Sequence, residues 1–275
     1  MPSPSYIVFT DLDGTLLDHH TYSYQEALPG LEALRRERIP VVFCSAKTRA
    51  EQSTYREALA VRDPFIVENG GAVFAEPGYF RHAHGFVPDT NGFEVLALAR
   101  PYAEIRRILA EIRTELNLPV RGYGDMTAAE LAKLADLDLD AAARARQREF
   151  EETIVTQLSE PDRERFRQAL ARRGVSMTSG ARFLSISTAN DKGRAAQRLI
   201  EAFRRERGAV VTVGIGDSWN DAPLLAVTDV SLLVQRPGGN WASLPVERAQ
   251  KIGAVGPKGW TVAMQQLVQG AFVPR

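Results

Sequence analysis

Cysteine occurs once in the 275 residues, at Cys44, so the chain has no internal disulfide. That fits a reducing compartment. Histidine occurs four times, and with a single thiol this is too sparse for a zinc site. No sign of charge is in surplus: 34 Lys and Arg balance 34 Asp and Glu. The balance argues against a general polyanion binder, because nucleic-acid affinity rests on excess positive charge. It leaves room for one local basic pocket. No apolar run approaches the ~20 residues of a membrane span. The N-terminus lacks the basic stretch, apolar core and small-residue cleavage site of a secretory leader. A soluble, cytoplasmic protein is expected, with neither nucleic acid nor membrane as partner. Lysine is scarce too, five residues against 29 arginines, so each lysine near a motif carries weight.

What is present is an ordinary globular balance, 44% apolar and 25% charged, over a length that suits one large domain or two modest ones. Residues 6–10, Tyr-Ile-Val-Phe-Thr, run as an apolar strand into Asp11 and Asp13, with Gly14 next. Two like charges this close repel unless a cation or a proton lies between them. Asp-Gly is also a strong hairpin signal, so strand, turn, strand is a competing reading of this stretch taken alone.

The chain beyond it decides. Helices are expected over 25–38 and 49–60, the second with Thr48 and Glu51 as a capping box. Short apolar strands are expected over 39–44 and 64–67. Strands alternating with helices imply a parallel sheet covered on both faces, in which ligands bind beyond the carboxyl ends of the strands. Asp11, Asp13, Ser45 and Asn69 all fall at such ends. From about residue 72 the alternation stops. A hairpin strand over 72–75, a strand over 93–98 and a helix over 101–116 with Pro101 at its first position are expected. A capping box at Thr127 and Glu130 follows, then a short helix capped by Asp140 and ending near Arg148. A strand near 153–156, a helix over 161–173 and strands over 175–178 and 182–187 complete an α+β pattern. The alternation resumes with a helix over 193–207 and strands over 209–214 and 230–234. The expected organisation is an α/β, parallel-sheet, Rossmann-like core of 1–84 and 186–275, with an α+β domain inserted at 85–185. His82 and His84 fall at the junction.

Asp217 and Asp221, four apart at a helix start, can face one point, with Asn220 beside them. The alternative is an N-cap and a first-turn acid serving the helix dipole. Joined to Asp11 and Asp13 they make four carboxylates at one sheet edge, with only Lys192 nearby to neutralise them. A hard, oxygen-liganded cation resolves that repulsion, and Mg2+ with retained waters fits best. Ser45 is free to donate to an anion, since Thr48 fills the capping role. Lys192 reads either as a solvated lysine or as a member of the site. Together these parts suit phosphoryl transfer. Asp11 attacks phosphorus to form an aspartyl-phosphate. Asp13, protonated, serves the leaving alkoxide and then takes a proton from water. Mg2+, Ser45 and Lys192 hold the phosphoryl oxygens.

The segments Asp11-Leu12-Asp13-Gly14-Thr15, Ser45, Lys192 and Gly216-Asp217-Ser218 through Asp221 resemble, in order, the four motifs of the haloacid dehalogenase superfamily of phosphatases. The inserted segment is similar to that superfamily's larger α+β cap. The resemblance implies Asp11 as nucleophile, Asp13 as acid and base, and Asp11, the Asp13 main-chain carbonyl and Asp217 as metal ligands, with Asp221 in support. A narrower likeness is to the mannosyl-3-phosphoglycerate phosphatase family. It rests on residues 9–18, Ser45-Ala46-Lys47-Thr48-Arg49, Glu68-Asn69-Gly70-Gly71, Gly216 through Asp221 and the stretch Ala145-Arg146-Gln147-Arg148-Glu149-Phe150. It implies a phosphorylated sugar or glycerate as substrate. Such a substrate carries a phosphate, a carboxylate and a neutral sugar. Arginine suits a carboxylate through its planar fork, so Arg144, Arg148 and Arg182 join Lys47, Asn69 and Asn220 as candidate substrate-binding residues. A glucosyl or sucrose-phosphate type of phosphatase, a phosphosugar mutase on the same core and a silent sugar-phosphate sensor are the alternatives. A homodimer is compatible with the sequence.

Overall fold

Continuous apolar strands feed the fold. In β1 (Tyr6–Thr10), Ile7, Val8 and Phe9 have no solvent exposure, as expected of a strand covered on both faces. The computed structural model describes residues 5–82, 85–179, 183–188 and 191–272. After β1 come α1 (Leu28–Arg36), β2 (Val41–Cys44), α2 (Arg49–Ala58), β3 (Phe65–Val67), β4 (Ala72–Ala75), β5 (Val87–Pro88) and β6 (Glu94–Ala97). Next are α3 (Tyr102–Leu116), α4 (Ala128–Ala135), α5 (Leu139–Ala145), β7 (Glu151–Ile154), α6 (Glu160–Ala171), β8 (Val175–Ser179) and β9 (Leu184–Thr188). The chain ends with α7 (Lys192–Arg207), β10 (Val211–Gly216), α8 (Ala222–Val227), β11 (Val230–Gln235), β12 (Gln250–Val255) and α9 (Gly256–Val268). No helix among the described residues is long and apolar enough to cross a membrane.

Two compact units emerge. The first comprises residues up to 45, 61–96 and 191 onward. Its sheet has nine strands in the order β12-β11-β10-β1-β2-β3-β4-β6-β5. From β12 to β3 neighbouring strands pair in parallel. β4 returns antiparallel to β3, and β5 pairs antiparallel with β6. The α/β parallel sheet expected from the alternation is therefore present. The 87–97 hairpin, read from sequence with the inserted segment, extends the large sheet. α1 begins at Leu28 because a single 3-10 turn occupies Gln25–Ala27 and a proline stands in the first helical turn. β12 and α9 had no counterpart in the sequence reading.

The second unit comprises 46–60 and 97–190. Its three strands lie in the order β7-β9-β8, antiparallel throughout. Ile105, Ile108, Leu109 and Ile112 of α3 pack with Phe166 and Leu170 of α6 and Ile186 of β9. Thr48 and Glu51 form the reciprocal cap at the start of α2, and Thr127 and Glu130 do so at α4. Pro101 stands at the cap of α3, one position before its first residue. Asp138, not Asp140, caps α5: its side chain accepts from the Ala141 N–H at 2.6 Å, while Asp140 lies in the first turn. A cap needs extended backbone, which Asp138 has. Glu152, fully buried, accepts hydrogen bonds from Tyr102 at 2.8 Å and Arg106 at 2.6 Å. Asp125 is clamped by Arg106 and Arg113. Although burial opposes its charge, those hydrogen bonds hold it well below the usual carboxylate range.

Candidate active site

The parallel register builds the site in the first unit. Thr10 of β1 stands opposite Ile215 of β10, so Asp11 and Asp217, each just past its strand, leave the sheet on the same edge. The Asp11 N–H donates to Ile215 O at 3.0 Å. Behind it the Thr10 hydroxyl donates to Asp11 O at 2.6 Å and accepts from the Trp260 indole at 2.9 Å. Trp260 is fully buried in α9, so a helix about 250 positions away braces the strand end. Gly14 then turns the chain, its N–H donating to Leu17 O at 2.9 Å with φ +78°. A Cβ at Gly14 would stand 2.9 Å from Asp217 Oδ2, so the bare backbone is what lets the two segments meet.

After β10, Ser218 opens a single 3-10 turn, Trp219–Asp221, which leads into α8. Asp221 Oδ2 accepts from the N–H groups of Asp217 and Ser218, each at 3.0 Å. Ser218 is the cap of this turn and Asp221 its reciprocal capping-box partner, so Asp217 is not the cap. Lys192 is the first residue of α7, whose cap is Asp191, accepting from Arg194 N–H at 2.8 Å. Gly70 (φ +98°) sits against this cap so tightly that a Cβ there would lie 2.2 Å from Asp191 O. Lys192 Nζ donates to Asp11 Oδ1 at 2.5 Å and to Asp221 Oδ1 at 2.7 Å, with no exposure of its side chain. It is a member of the site, not a solvated lysine. Oxygens of Asp11, Asp217 and Asp221 lie within 4.8 Å of one another.

Electrostatics follow from this crowding. Burial, and then the charges of Asp221, Asp217 and Asp13, push the Asp11 carboxyl well above its ordinary range, with Lys192 pulling the other way. Burial and Asp221 push Asp217 up to about 7, against Lys192 and Arg236. Burial also works against the Lys192 charge, but Asp11 and Asp221 outweigh it and hold the ammonium above the usual lysine range. One buried cation thus hydrogen-bonds two of the acids, and the third, Asp217, has only the more distant Arg236 as an ion-pair partner among the described residues. Asp217 Oδ1 is buried with no hydrogen-bond donor among the described residues.

Of the remaining predicted residues, Ser45 is buried at the end of β2, and its carbonyl accepts from Asn69 N–H at 3.0 Å. Glu68 and Asn69 both take left-handed backbone, φ 48° and 54°, a local strain of the kind that clusters at functional sites. The turn brings Asn69 Oδ1 to Asn220 Nδ2 at 3.3 Å. Asp13 stands in the Gly14 turn, bridged to Leu17, and its carboxylate is not among the three clustered acids. Lys47, Arg144 and Arg148 belong to the second unit. Lys47 faces Glu51 at 3.8 Å, the Arg144 carbonyl accepts from the Thr48 hydroxyl at 3.0 Å, and Arg148 donates to Ala46 O at 3.0 Å. Arg182 lies outside the described residues, as does His84. Sequence reasoning missed Trp260 and Arg236. Arg236 follows β11, and its place at the carboxyl end of a parallel strand was the available signal.

Residues 8–236 match the haloacid dehalogenase-like hydrolase family. The chain is 37% identical over 264 residues to the glucosyl-3-phosphoglycerate/mannosyl-3-phosphoglycerate phosphatase of Methanococcoides burtonii, covering 96% of this chain and 97% of that one. It is 36% identical to the protein of the same name from Persephonella marina, covering 95% and 97%. Among solved structures it is similar to protein 0175 of Thermoplasma acidophilum, with a TM-score of 0.69 at 15% identity, covering 96% and 98%. At that identity the likeness speaks for the fold. With the family match spanning most of the chain, and two relatives matched almost end to end, the chain belongs to the haloacid dehalogenase-like hydrolases.

Proposed function

We propose that the chain is a Mg2+-dependent phosphomonoester hydrolase that works through an aspartyl-phosphate and takes glucosyl- or mannosyl-3-phosphoglycerate as substrate. The observation that carries the chemistry is the cluster of Asp11, Asp217 and Asp221 around one buried lysine. The relatives' names supply the substrate. In the same reading segment 85–185 is the specificity-determining insert, and the protein works in the cytoplasm.

The residues present fit a divalent metal. The donors are hard oxygens, the carboxylates converge, and Asp217 Oδ1 is buried without a donor among the described residues. Asp11, Asp217 and the Asp13 main-chain carbonyl would hold the ion. Asp221 supports them, its oxygens being engaged by Lys192 and two N–H groups. Such an ion supplies positive charge for the phosphoryl oxygens. The chain's own residues do the rest. Lys192 fixes Asp11 by Oδ1, while among the described residues Oδ2 has only a 3.4 Å contact from Thr15. A carboxylate oxygen of Asp11 bonds to phosphorus as the phosphorus–alkoxide bond breaks, and Asp13 gives its proton to the leaving oxygen. Water then attacks phosphorus, Asp13 takes its proton, and the Asp11–phosphorus bond breaks. Ser45 and Asn69 orient the phosphoryl group.

The test is phosphate release from a panel of sugar phosphates that includes mannosyl- and glucosyl-3-phosphoglycerate. Turnover of these two above the rest, lost in excess chelator and restored by Mg2+, is the expected result. Isomerised sugar phosphate with almost no free phosphate would instead indicate a mutase.

The raised acids also fix a pH dependence. A carboxyl whose folded pKa exceeds its unfolded one contributes stability that is present below the unfolded value and lost as pH rises through the folded value. For Asp217 that window runs from its ordinary 3.8 to about 7. The metal-free protein therefore loses stability across it, and Mg2+ binding, which needs the ionised acids, restores it. Thermal melts should show a larger Mg2+-induced gain in Tm near pH 8 than near pH 6. Equal gains would remove these acids from the metal site.

A further inference from the structure

Three clustered carboxylates make the site acidic, and its buried cation, Lys192, is consumed by Asp11 and Asp221. Yet the substrate proposed above carries two anionic groups. A metal at the acids can serve the phosphate, which leaves the carboxylate to be met by protein. Arg236, in the first unit, is placed for this. It directly follows β11, on the same sheet edge as Asp217, since β10 and β11 are parallel neighbours with Gly216 opposite Leu233. Its main chain is fixed by a tight turn: Arg236 N–H donates to Asn240 O at 2.8 Å, and Gly239 N–H donates to Arg236 O at 3.0 Å. The Gln235 side-chain amide closes the turn on Gly239 O at 2.7 Å.

The side chain reaches Asp217, where Nε lies 3.8 Å from Oδ2. That is an ion pair but too long for a hydrogen bond, and Nε is buried without an acceptor among the described residues. Among the described residues Arg236 makes no other ion pair, and its side chain is 43% exposed against 4% for Asp217. It is thus a half-exposed guanidinium on a hydrogen-bonded turn, leaning on a proposed metal ligand with no side-chain hydrogen bond among the described residues. A planar fork in that state matches a carboxylate by paired hydrogen bonds, which lysine does not do.

We propose that Arg236 is a specificity-determining residue that binds a carboxylate of the phosphoester substrate. The proposal rests on the phosphatase reading and deepens it: the site selects phosphate esters that bear a second, carboxylate anion.

The experiment compares kcat/KM for matched pairs that differ only at the carboxylate. These are glucosyl-3-phosphoglycerate against its carboxamide, and 3-phosphoglycerate against glycerol 3-phosphate. The wild-type enzyme should prefer the acid by about 10- to 100-fold, the scale of a hydrogen-bonded charge pair. Arg236→Gln should bring that ratio to within about threefold of unity, and Arg236→Lys should give an intermediate ratio. Calorimetric Mg2+ titration of each variant accompanies the kinetics. A wild-type enzyme indifferent to the carboxylate overturns the proposal. So does a ratio that Arg236→Gln leaves intact while Mg2+ affinity shifts, because Arg236 then acts on Asp217 alone. Should Arg236→Gln fail to fold, an Arg236→Lys variant with the full wild-type ratio overturns it equally. Inactivity toward the glycosyl pair, with an Arg236-dependent preference for 3-phosphoglycerate, would remove the sugar assignment and support the carboxylate site.

Discussion

Asp11→Asn lowers phosphate release by about 10⁴-fold or more, the scale seen when a covalent nucleophile is removed. Asparagine keeps the shape of the side chain, and its oxygen can still accept from Lys192, which also retains Asp221 at 2.7 Å. What it loses is the negative charge that attacks phosphorus. The same substitution should not destabilise the metal-free fold. Asp11 is 4% exposed, and burial followed by three neighbouring acids pushes its carboxyl well above the ordinary range. A neutral isostere relieves that repulsion, so the metal-free variant should melt at or above the wild-type temperature near neutral pH. Activity and stability would move in opposite directions, as they do where a site stores unfavourable charge. Two measurements check this: phosphate release under saturating substrate, and a melt in chelator. Intact-mass detection of a phosphorylated enzyme in rapidly quenched wild type, absent from the variant, identifies the covalent step. Residual activity within about tenfold of wild type would assign the attack to another group.

Much of this arrangement was legible because it is carried by short-range pattern. An apolar run ending in two acids, followed by more such runs alternating with helices, points to a parallel sheet, and from β12 to β3 the sheet is parallel. That pairing places Asp11 and Asp217 at one edge. Capping boxes at Thr48 and Thr127 were equally local and stand where the spacing puts them. What escaped depends on pairing across long separations or on context. β12 has mostly exposed residues and no apolar run to announce it. Trp260 could have been any core aromatic until α9 placed its indole on Thr10. Asp138 and Asp140 are equally good caps by type, and only the backbone conformation chooses between them. Arg236 is one of 29 arginines, and neither composition nor periodicity separates it from those on solvated faces. The Lys192 contact with Asp11 spans 181 positions. It became readable only through the scarcity of lysine and the resumption of the sheet pattern around it.

Lys192→Met should be the most destabilising single change at the site. The two side chains are close in length, so packing is largely kept, but the ammonium that serves both Asp11 and Asp221 is gone. Removing one partner of a buried ion pair costs about 3–5 kcal/mol, because the charges left behind are unpaired. For a chain of this size about 2–4 °C of Tm is lost per kcal/mol, so a fall of about 10 °C is expected. The loss should depend on pH in a definite direction. With Lys192 gone, nothing opposes the burial and mutual repulsion that already raise Asp11 and Asp217. Both acids then keep their protons to higher pH and need no counter-ion while protonated. The gap between variant and wild type should therefore be smallest in mild acid and widen as pH rises through neutrality. Mg2+ should narrow it above neutral pH by returning positive charge to the cluster. Activity should fall by about 10²- to 10³-fold, the scale of one lost electrostatic contact to the developing charge. A merely structural lysine would instead give the same loss of Tm at every pH, with no response to the metal. That pattern would place the ammonium outside the chemistry and make Asp221 a simple helix-start acid.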